Sequence, residues 1–410
     1  MNILVSNWTW YPSGGDWTYI DNLNRLYMEH GHQVVPFAMQ DERNFFSDYS
    51  SYFIEKIDYK RLNSRNRLTN GFQVLTKSMY SWEAKKNLEK LLDEVRIDLA
   101  HLHLIHHYIT PSILKVLKKR GIPVIWTLHD YTPICPQSTF ISNDKVCEKC
   151  KGGRFYQCAI NKCKKRSFMA SSVAALGNYL DHYLDCYADV AYFICPSKFS
   201  YEKYKSHGFF CDKLVQLYHG YTIDGPLLEA KATVPGKKHI LYVGRLEKIK
   251  GVLTLLKAMK MLPDIHLDLI GDGAYEEELK TYTIQNNLAN VSFLGKKDKK
   301  EVWSSIQQAA FLVCPSEWYE VLGFTIVEGM LLGKPVIGAA IGAIPETVID
   351  GYSGFLFEPG NVETLAGKIK ALYEDEKLIA EMGENARCHA TALFNPQKHF
   401  EGLQQLIPSL

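Results

Sequence analysis

The sequence predicts an α/β protein of two doubly wound domains, and three observations carry that expectation. Apolar, β-branched runs alternate with segments of helical periodicity from one end of the chain to the other. That is the pattern of parallel sheets covered by helices on both faces. The alternation restarts as a second, very regular series after the Pro- and Gly-containing stretch 222–236, which reads as a linker. Finally, 410 residues, 46% hydrophobic and 22% charged, are too many for one ordinary core and enough for two.

In the first half, residues 1–7 read as a buried strand, 16–30 as a helix stopped by Gly31, and 33–38 as the next strand. Strands are also expected at 98–104, 123–129 and 191–195. The helix 112–120 carries Ile113, Val116 and Leu117 on one face and stops at Gly121. In the second half, strands at 239–243, 266–270, 291–294, 311–314 and 335–338 alternate with helices near 251–261, 275–286, 299–308 and 325–332, a doubly wound domain in itself. Residues 135–166 break the rhythm. They lack periodicity, are rich in Cys, Lys and Gly, and read as an insertion.

The formal charge of +2 argues against a nucleic-acid binder, whose phosphate contacts need a concentrated basic footprint. The N-terminus lacks the charged and apolar regions of an export signal, and no apolar run is long enough to span a bilayer. A cytoplasmic protein is expected, touching a membrane only at its surface. The ten cysteines are then thiols or metal ligands rather than disulfides.

The most informative stretch is Glu320-Val-Leu-Gly323-Phe324-Thr325-Ile-Val-Glu328. It follows a strand and a Pro315 turn. Gly323 lets backbone approach a ligand, and the helix start offers amides to an anion. Each carboxylate can accept hydrogen bonds from vicinal hydroxyls, so the pair suits one sugar on either side of a phosphate; the alternative is two solvated helix-end glutamates. Gly244-Arg245-Leu-Glu-Lys-Ile-Lys250-Gly251 leaves the first strand of the second domain, where doubly wound folds place their ligand crevice. Arg245 and Lys250 could neutralise a diphosphate there, or be ordinary surface residues. Gly271-Asp272-Gly273 is a weaker signal, a tight turn after the next strand.

In this order, the glycine-arginine…lysine-glycine turn, the glycine-aspartate-glycine turn and the paired glutamates resemble the retaining glycosyltransferases of family 4. The likeness covers 237–390 and, more loosely, the first domain. It implies the GT-B fold, two Rossmann-like domains facing each other across a cleft: an acceptor-binding domain at 1–220 and a nucleotide-sugar-binding domain at 221–387, with 388–410 packing back on the first. It also implies that Arg245 and Lys250 bind the donor diphosphate, Glu320 meets sugar hydroxyls, Glu328 meets the ribose, and the backbone of Gly323, Phe324 and Thr325 lies beside sugar and phosphate. In the first domain, Gly14 and Gly15 would close over the phosphates, and His129, in Trp-Thr-Leu-His-Asp, would reach the reaction centre. Without the resemblance, a Gly-Gly turn is weak evidence and a lone histidine more often structural. Asp130 is a weaker candidate than His129. His101, His103, His106 and His107 read as polar residues near the cleft, with no metal assigned.

Two aspartates separated by one residue, the usual divalent-metal ligands of the other large glycosyltransferase class, occur nowhere in the sequence. Metal-independent transfer is expected, with no cofactor for catalysis. Cys147, Cys150, Cys158 and Cys163, with Cys135 to spare, have the spacing of a structural zinc knot. Reduced thiols are the main alternative, and an iron–sulfur cluster stands behind both. Trp8, Trp10, Tyr11 and Trp17 could form an acceptor platform or pack on one another. Lys162, Lys164, Lys165 and Arg166 precede the stretch 167–184, whose Phe168, Met169, Val173, Leu176, Tyr179 and Leu180 suggest an amphipathic helix: either a weak contact with an anionic membrane or a helix packed on the first domain.

The expected partners are a UDP- or GDP-linked sugar donor and a glycan or lipid-linked acceptor in surface polysaccharide synthesis, with no nucleic acid. The enzyme would be cytoplasmic, at the inner membrane face. A non-catalytic relative is disfavoured by the intact charged residues. A nicotinamide dehydrogenase is disfavoured because neither Gly-Gly nor Gly-Asp-Gly completes a dinucleotide fingerprint.

Overall fold

The structure is a computed structural model, which describes residues 1–56, 79–106, 108–223 and 238–410. Most of the expected linker and His107 lie outside these residues. The chain divides into two compact units, Met1–Gly220 with Gln397–Leu410, and Tyr221–Pro396.

The first unit holds a six-stranded parallel sheet. Its strands are β1 (Asn2–Ser6), β2 (Gln33–Phe37), β3 (Leu99–Leu102), β4 (Val124–Thr127), β7 (Tyr192–Cys195) and β8 (Leu214–Gln216), and the hairpin pair β5 (Ile141–Ser142) and β6 (Lys145–Val146) stands apart. The order is β2-β1-β3-β4-β7-β8. β3 and β4 are buried at every position, as strands covered on both faces must be. Pairing of β4 stops at Thr127, two residues short of the strand expected at 123–129, and His129 stands in the loop beyond. Reading by periodicity did not show the helices Trp82–Glu94 and Lys198–Ser206 or strand β8.

In the second unit β9 (His239–Val243), β10 (His266–Ile270), β11 (Val291–Phe293), β12 (Leu312–Cys314), β13 (Val336–Ala339) and β14 (Gly354–Phe357) form a parallel sheet in the order β11-β10-β9-β12-β13-β14. Its core packs Leu255, Leu256 and Met259 of the helix Val252–Lys260 with Leu267 and Leu269 of β10 and Leu365 and Ile369 of the helix Val362–Glu374. The connection reverses direction between β9 and β12, and a sheet with such a reversal opens a ligand crevice at the carboxyl ends of those two strands.

At the C-terminus the helix Glu376–Leu393 runs unbroken through residue 388, and the first unit takes up the chain only at Gln397. The break is at Pro396, whose ring cannot continue the preceding helix. The final helix, Pro396–Leu406, carries His399, whose ring nitrogens meet the Tyr19 hydroxyl at 3.0 Å and the Tyr218 carbonyl at 2.7 Å.

Candidate functional site

In the second unit, the loops leaving β9 and β12 interlock at the switch point. Gly244 donates its amide to Ile270, Leu246 to Asp272 and Tyr275 to Leu246, zipping the Gly244–Leu246 turn onto the Gly271-Asp272-Gly273 turn. A Cβ at Gly271, where φ is +141°, would lie 1.9 Å from the Gly244 oxygen. Gly251 (φ +67°) opens the helix Val252–Lys260, and a Cβ there would meet the Pro315 oxygen at 1.8 Å. Glu317 then donates its amide to Ile249, joining the β12 loop to the Lys248–Lys250 turn. These glycines are what close packing of two loops demands.

The interlock brings Lys250 and Glu320 together. Their Nζ and Oε1 are 2.7 Å apart, with side-chain exposures of 16% and 8%. The Ser316 hydroxyl donates to the same carboxylate oxygen at 2.7 Å. Burial alone would raise the Glu320 carboxyl above its ordinary range, but the Lys250 charge and hydrogen bond, with Ser316, outweigh it and hold it below. Lys250 also lies 4.8 Å from the centre of the Trp318 ring. Arg245 is more exposed, at 62%, and its guanidinium binds Glu247 at 2.7 Å. It stands on the turn as expected, without contact to Glu320.

Gly323, at φ +86°, caps the helix Phe324–Leu331. Gly323, Phe324 and Thr325 are all partly exposed, so the first turn can be approached from solvent. Glu328 sits one turn further in and is buried, accepting a 2.7 Å hydrogen bond from the Tyr221 hydroxyl. Burial raises its carboxyl, with Tyr221 opposing. The second unit thus pairs Lys250 with Glu320, with Arg245 on the turn that also carries Lys250 and the helix start at Gly323 three residues beyond Glu320. Ser316 and Tyr221 were not singled out from sequence. Ser316 stands four positions before Glu320 in a turn and could have been weighed; nothing local marks Tyr221, which lies 107 positions from its partner.

In the first unit, Gly14 and Gly15 are exposed at the start of the helix Gly15–Glu29. The aromatic residues nearby are spent on packing: Trp10 meets Trp17 edge-on at 5.3 Å, Trp8 stacks on Tyr108 at 5.4 Å, and Trp10, Tyr11 and Trp17 are buried. His129 is partly exposed, and its Nε2 lies 3.1 Å from Nδ1 of His103. Burial pushes the His129 imidazole down to about 3, so it is neutral at physiological pH. Asp130 is tied to its own turn through the amide and hydroxyl of Thr132.

The cysteine insertion folds as the β5–β6 hairpin, the short helix Tyr156–Ile160 and linked turns. Cys150 and Cys158 are buried together with Phe155 and Ala175, and Cys163 packs against them. Cys135 is buried as well, and burial raises its thiol, with the backbone around Gln137–Phe140 opposing. Cys147 donates its amide to the Phe140 carbonyl at 2.7 Å and is partly exposed. Among the described residues no three His, Cys, Asp or Glu side chains stand in a metal-holding arrangement.

The helix Phe168–Tyr183 buries its small and polar positions rather than its apolar stripe. The residues it buries are Ser171, Ala175 and Asn178, with Asn178 donating to the Thr132 carbonyl at 2.6 Å. Phe168, Met169, Leu176, Tyr179 and Tyr183 face outward, joined by Ile160 from the insertion. Among the described residues no helix is long and apolar enough to cross a membrane.

Comparison with known proteins agrees with this architecture. The family model described as Glycosyltransferase Family 4 matches residues 13–224, and that described as Glycosyl transferases group 1 matches 227–389. An uncharacterized glycosyltransferase of Methanocaldococcus jannaschii is 27% identical over 100% of this chain and 99% of its own. The N-acetyl-alpha-D-glucosaminyl L-malate synthase of Bacillus anthracis is 24% identical, covering 95% of this chain and 93% of that one. Among solved structures, a sucrose-phosphate synthase from Thermosynechococcus elongatus superposes with a TM-score of 0.72 at 20% identity, covering 100% of this chain and 98% of that chain. Anabaena HepE in complex with UDP-glucose superposes with a TM-score of 0.65 at 18% identity, with 100% of both chains covered. The chain therefore belongs to glycosyltransferase family 4, with the two Rossmann-like domains of the GT-B fold.

Proposed function

We propose that this glycosyltransferase moves a sugar from a nucleotide-diphosphate-sugar to a glycan or lipid-linked acceptor, with retained configuration and no catalytic metal. The observation that carries the reading is the Lys250–Glu320–Ser316 group at the switch point, one loop away from the helix start at Gly323. Lys250 and Arg245 bind the diphosphate, the helix start supports its charge, Glu320 takes sugar hydroxyls and Glu328 the ribose. The first domain binds acceptor, with Gly14, Gly15 and His129 contacting substrate. The bond from the anomeric carbon to the diphosphate breaks as the acceptor oxygen bonds that carbon on the same face, and the acceptor proton passes to the departing phosphate. The HepE neighbour, solved with UDP and with UDP-glucose, favours a uracil donor. Screening UDP- and GDP-sugars by thermal shift tests this, since a ligand at 100 times its Kd adds about 2.7 kcal/mol to the folded state. Proton NMR of the product then reads the anomeric configuration. An inverted product, or a rate abolished by chelator and restored by magnesium or manganese, overturns the reading.

The outward stripe on Phe168–Tyr183 favours an acceptor presented at a membrane, as in surface polysaccharide assembly at the cytoplasmic face. Met169 is 73% exposed and Tyr183 86%, and the basic turn Lys162–Arg166 begins the same surface. Apolar side chains entering the headgroup boundary, with about 1 kcal/mol per basic residue near anionic lipid, give weak, salt-sensitive binding. Co-sedimentation with anionic vesicles at low salt should pull down the wild type and leave a Lys162→Gln, Leu176→Gln, Tyr183→Gln variant in solution. Wild type staying in the supernatant would refute the membrane acceptor.

A further inference from the structure

The first unit buries a group of imidazoles around Tyr19, and the hydrogen bonds of His101, His103 and His399 fix how each ring is used. His101 spends Nδ1 on the Tyr27 hydroxyl at 2.8 Å and Nε2 on the Thr127 hydroxyl at 2.7 Å. His399 spends both nitrogens on Tyr19 and Tyr218. His103, fully buried, spends Nδ1 on His129 Nε2, and its own Nε2 is buried with no hydrogen-bond partner. The unpartnered His103 Nε2 decides the tautomer of the His103–His129 pair.

Two neutral arrangements fit the 3.1 Å contact. If His129 donates from Nε2, His103 must carry its own proton on Nε2, leaving an N–H donor buried with nothing to accept it. If His103 donates from Nδ1, its Nε2 keeps only a lone pair. Orphaned buried donors are rarer than under-used acceptors, so the second arrangement wins. His129 Nε2 is then an acceptor, and the His129 proton must sit on Nδ1, a nitrogen of this partly exposed ring with no partner among the described residues.

We infer that His103 is a positioning residue that holds His129 as the Nδ1–H tautomer, so that His129 offers a hydrogen-bond donor, not a base, to an oxygen of the bound substrate. The rings are kept in place for this. Trp126 Nε1 donates to the His103 carbonyl at 2.7 Å, and the Tyr19 ring lies 5.8 Å from His103 and 5.4 Å from His129. Tyr19 is itself stacked on His219 at 3.7 Å. Burial lowers both His103 and His129, which keeps the pair neutral. The role in transfer rests on the reading that His129 contacts substrate; the tautomer does not.

The test is long-range nitrogen–proton NMR of the imidazoles in the full-length protein at pH 7, with the His129 signals assigned by their loss in His129→Gln. Wild type should show a protonated Nδ1 and an unprotonated Nε2 at His129. His103→Asn, whose amide N–H can stand where Nδ1 stood, should keep that pattern and most of the rate. His103→Leu, with no donor, should shift His129 toward Nε2–H and lower kcat about ten- to a hundred-fold while KM for the donor sugar stays nearly constant. A protonated Nε2 in wild type overturns the inference. So does a folded His103→Leu protein with wild-type tautomer and kcat. Full activity in His129→Gln would instead refute the substrate contact and leave the tautomer result standing.

Discussion

Replacing Lys250 by Met removes the charge beside Glu320 and keeps most of the stem that packs near Trp318. Glu320 is only 8% exposed, so its carboxylate is left in the interior with the neutral Ser316 hydroxyl and Trp318 indole, and no cation, to stabilise it. Stranding one member of a buried pair costs about 3–5 kcal/mol, and in a domain of this size each kcal/mol moves Tm by roughly 2–4 °C, so the second domain should melt about 6–20 °C lower. The deficit must depend on pH. In wild type the carboxyl is held below its ordinary value of 4.5, so its contribution is full above that value and fades as pH falls through the folded pKa. In the variant burial is unopposed and the carboxyl rises, so the folded state is penalised at neutral pH and released as the carboxyl protonates in acid. Differential scanning calorimetry at pH 7 and pH 4 should therefore show a large Tm gap at pH 7 that narrows at pH 4. Adding Glu320→Gln to Lys250→Met should recover much of the loss, because two neutral partners carry no stranded charge. Equal gaps at both pH values, with simple additivity in the double variant, would refute the coupling.

Arg245→Ala should behave in the opposite way: its side chain is 62% exposed and pairs with Glu247 at the surface, so Tm should hold while kcat/KM falls by an amount worth about 2–4 kcal/mol, read in initial-rate assays. Gly271→Ala drives a methyl to 1.9 Å from the Gly244 oxygen; it should separate the two interlocked turns, lowering Tm and weakening nucleotide binding together in calorimetry. Cys163 is held below the ordinary thiol range by the Cys158 thiol donating to its sulfur, whereas burial pushes Cys135 up to about 11 and Cys150 to about 12. Iodoacetamide at pH 7 should thus label Cys163 well ahead of those two by mass spectrometry, and labelling that begins only after a chelator is added would instead reveal a metal across the cluster.

What sequence made legible follows the physics of each element. The sheet of the second domain could be read strand by strand through β13, because each strand is a short apolar run punctuated by a turn. Its glycine turns could be read too, because glycine leaves a mark wherever two backbones meet, as at Gly271 and Gly251. β14 was missed, as was β8 in the first domain; Phe355 and Leu356 of β14 and Val215 and Gln216 of β8 are only partly buried, so neither has the unbroken apolar run of an inner strand. Glu320 and Lys250 could be named from their loops, but not their pairing, since contact between residues 70 positions apart is a property of strand order. The same limit hid Tyr221 behind Glu328 and His103 behind His129.

The helix Phe168–Tyr183 shows a different limit. Periodicity establishes that Phe168, Met169, Leu176 and Tyr179 share a surface, but it cannot say which way that surface points. The usual inference, that the apolar stripe faces the core, fails because the helix is anchored through its small and polar positions. Ser171 receives the Lys164 amide at 2.9 Å and returns its hydroxyl to Ser167 at 2.7 Å, Asn178 holds Thr132, and His182 meets the Pro133 carbonyl at 3.1 Å. Ala175 is small enough to let the cysteine insertion close against it. Small residues inside and large apolar ones outside would be costly for a helix that only ever met water. An apolar phase covering that face would offset the cost, so the proposal of a membrane-borne acceptor rests on the orientation of this helix more than on its composition.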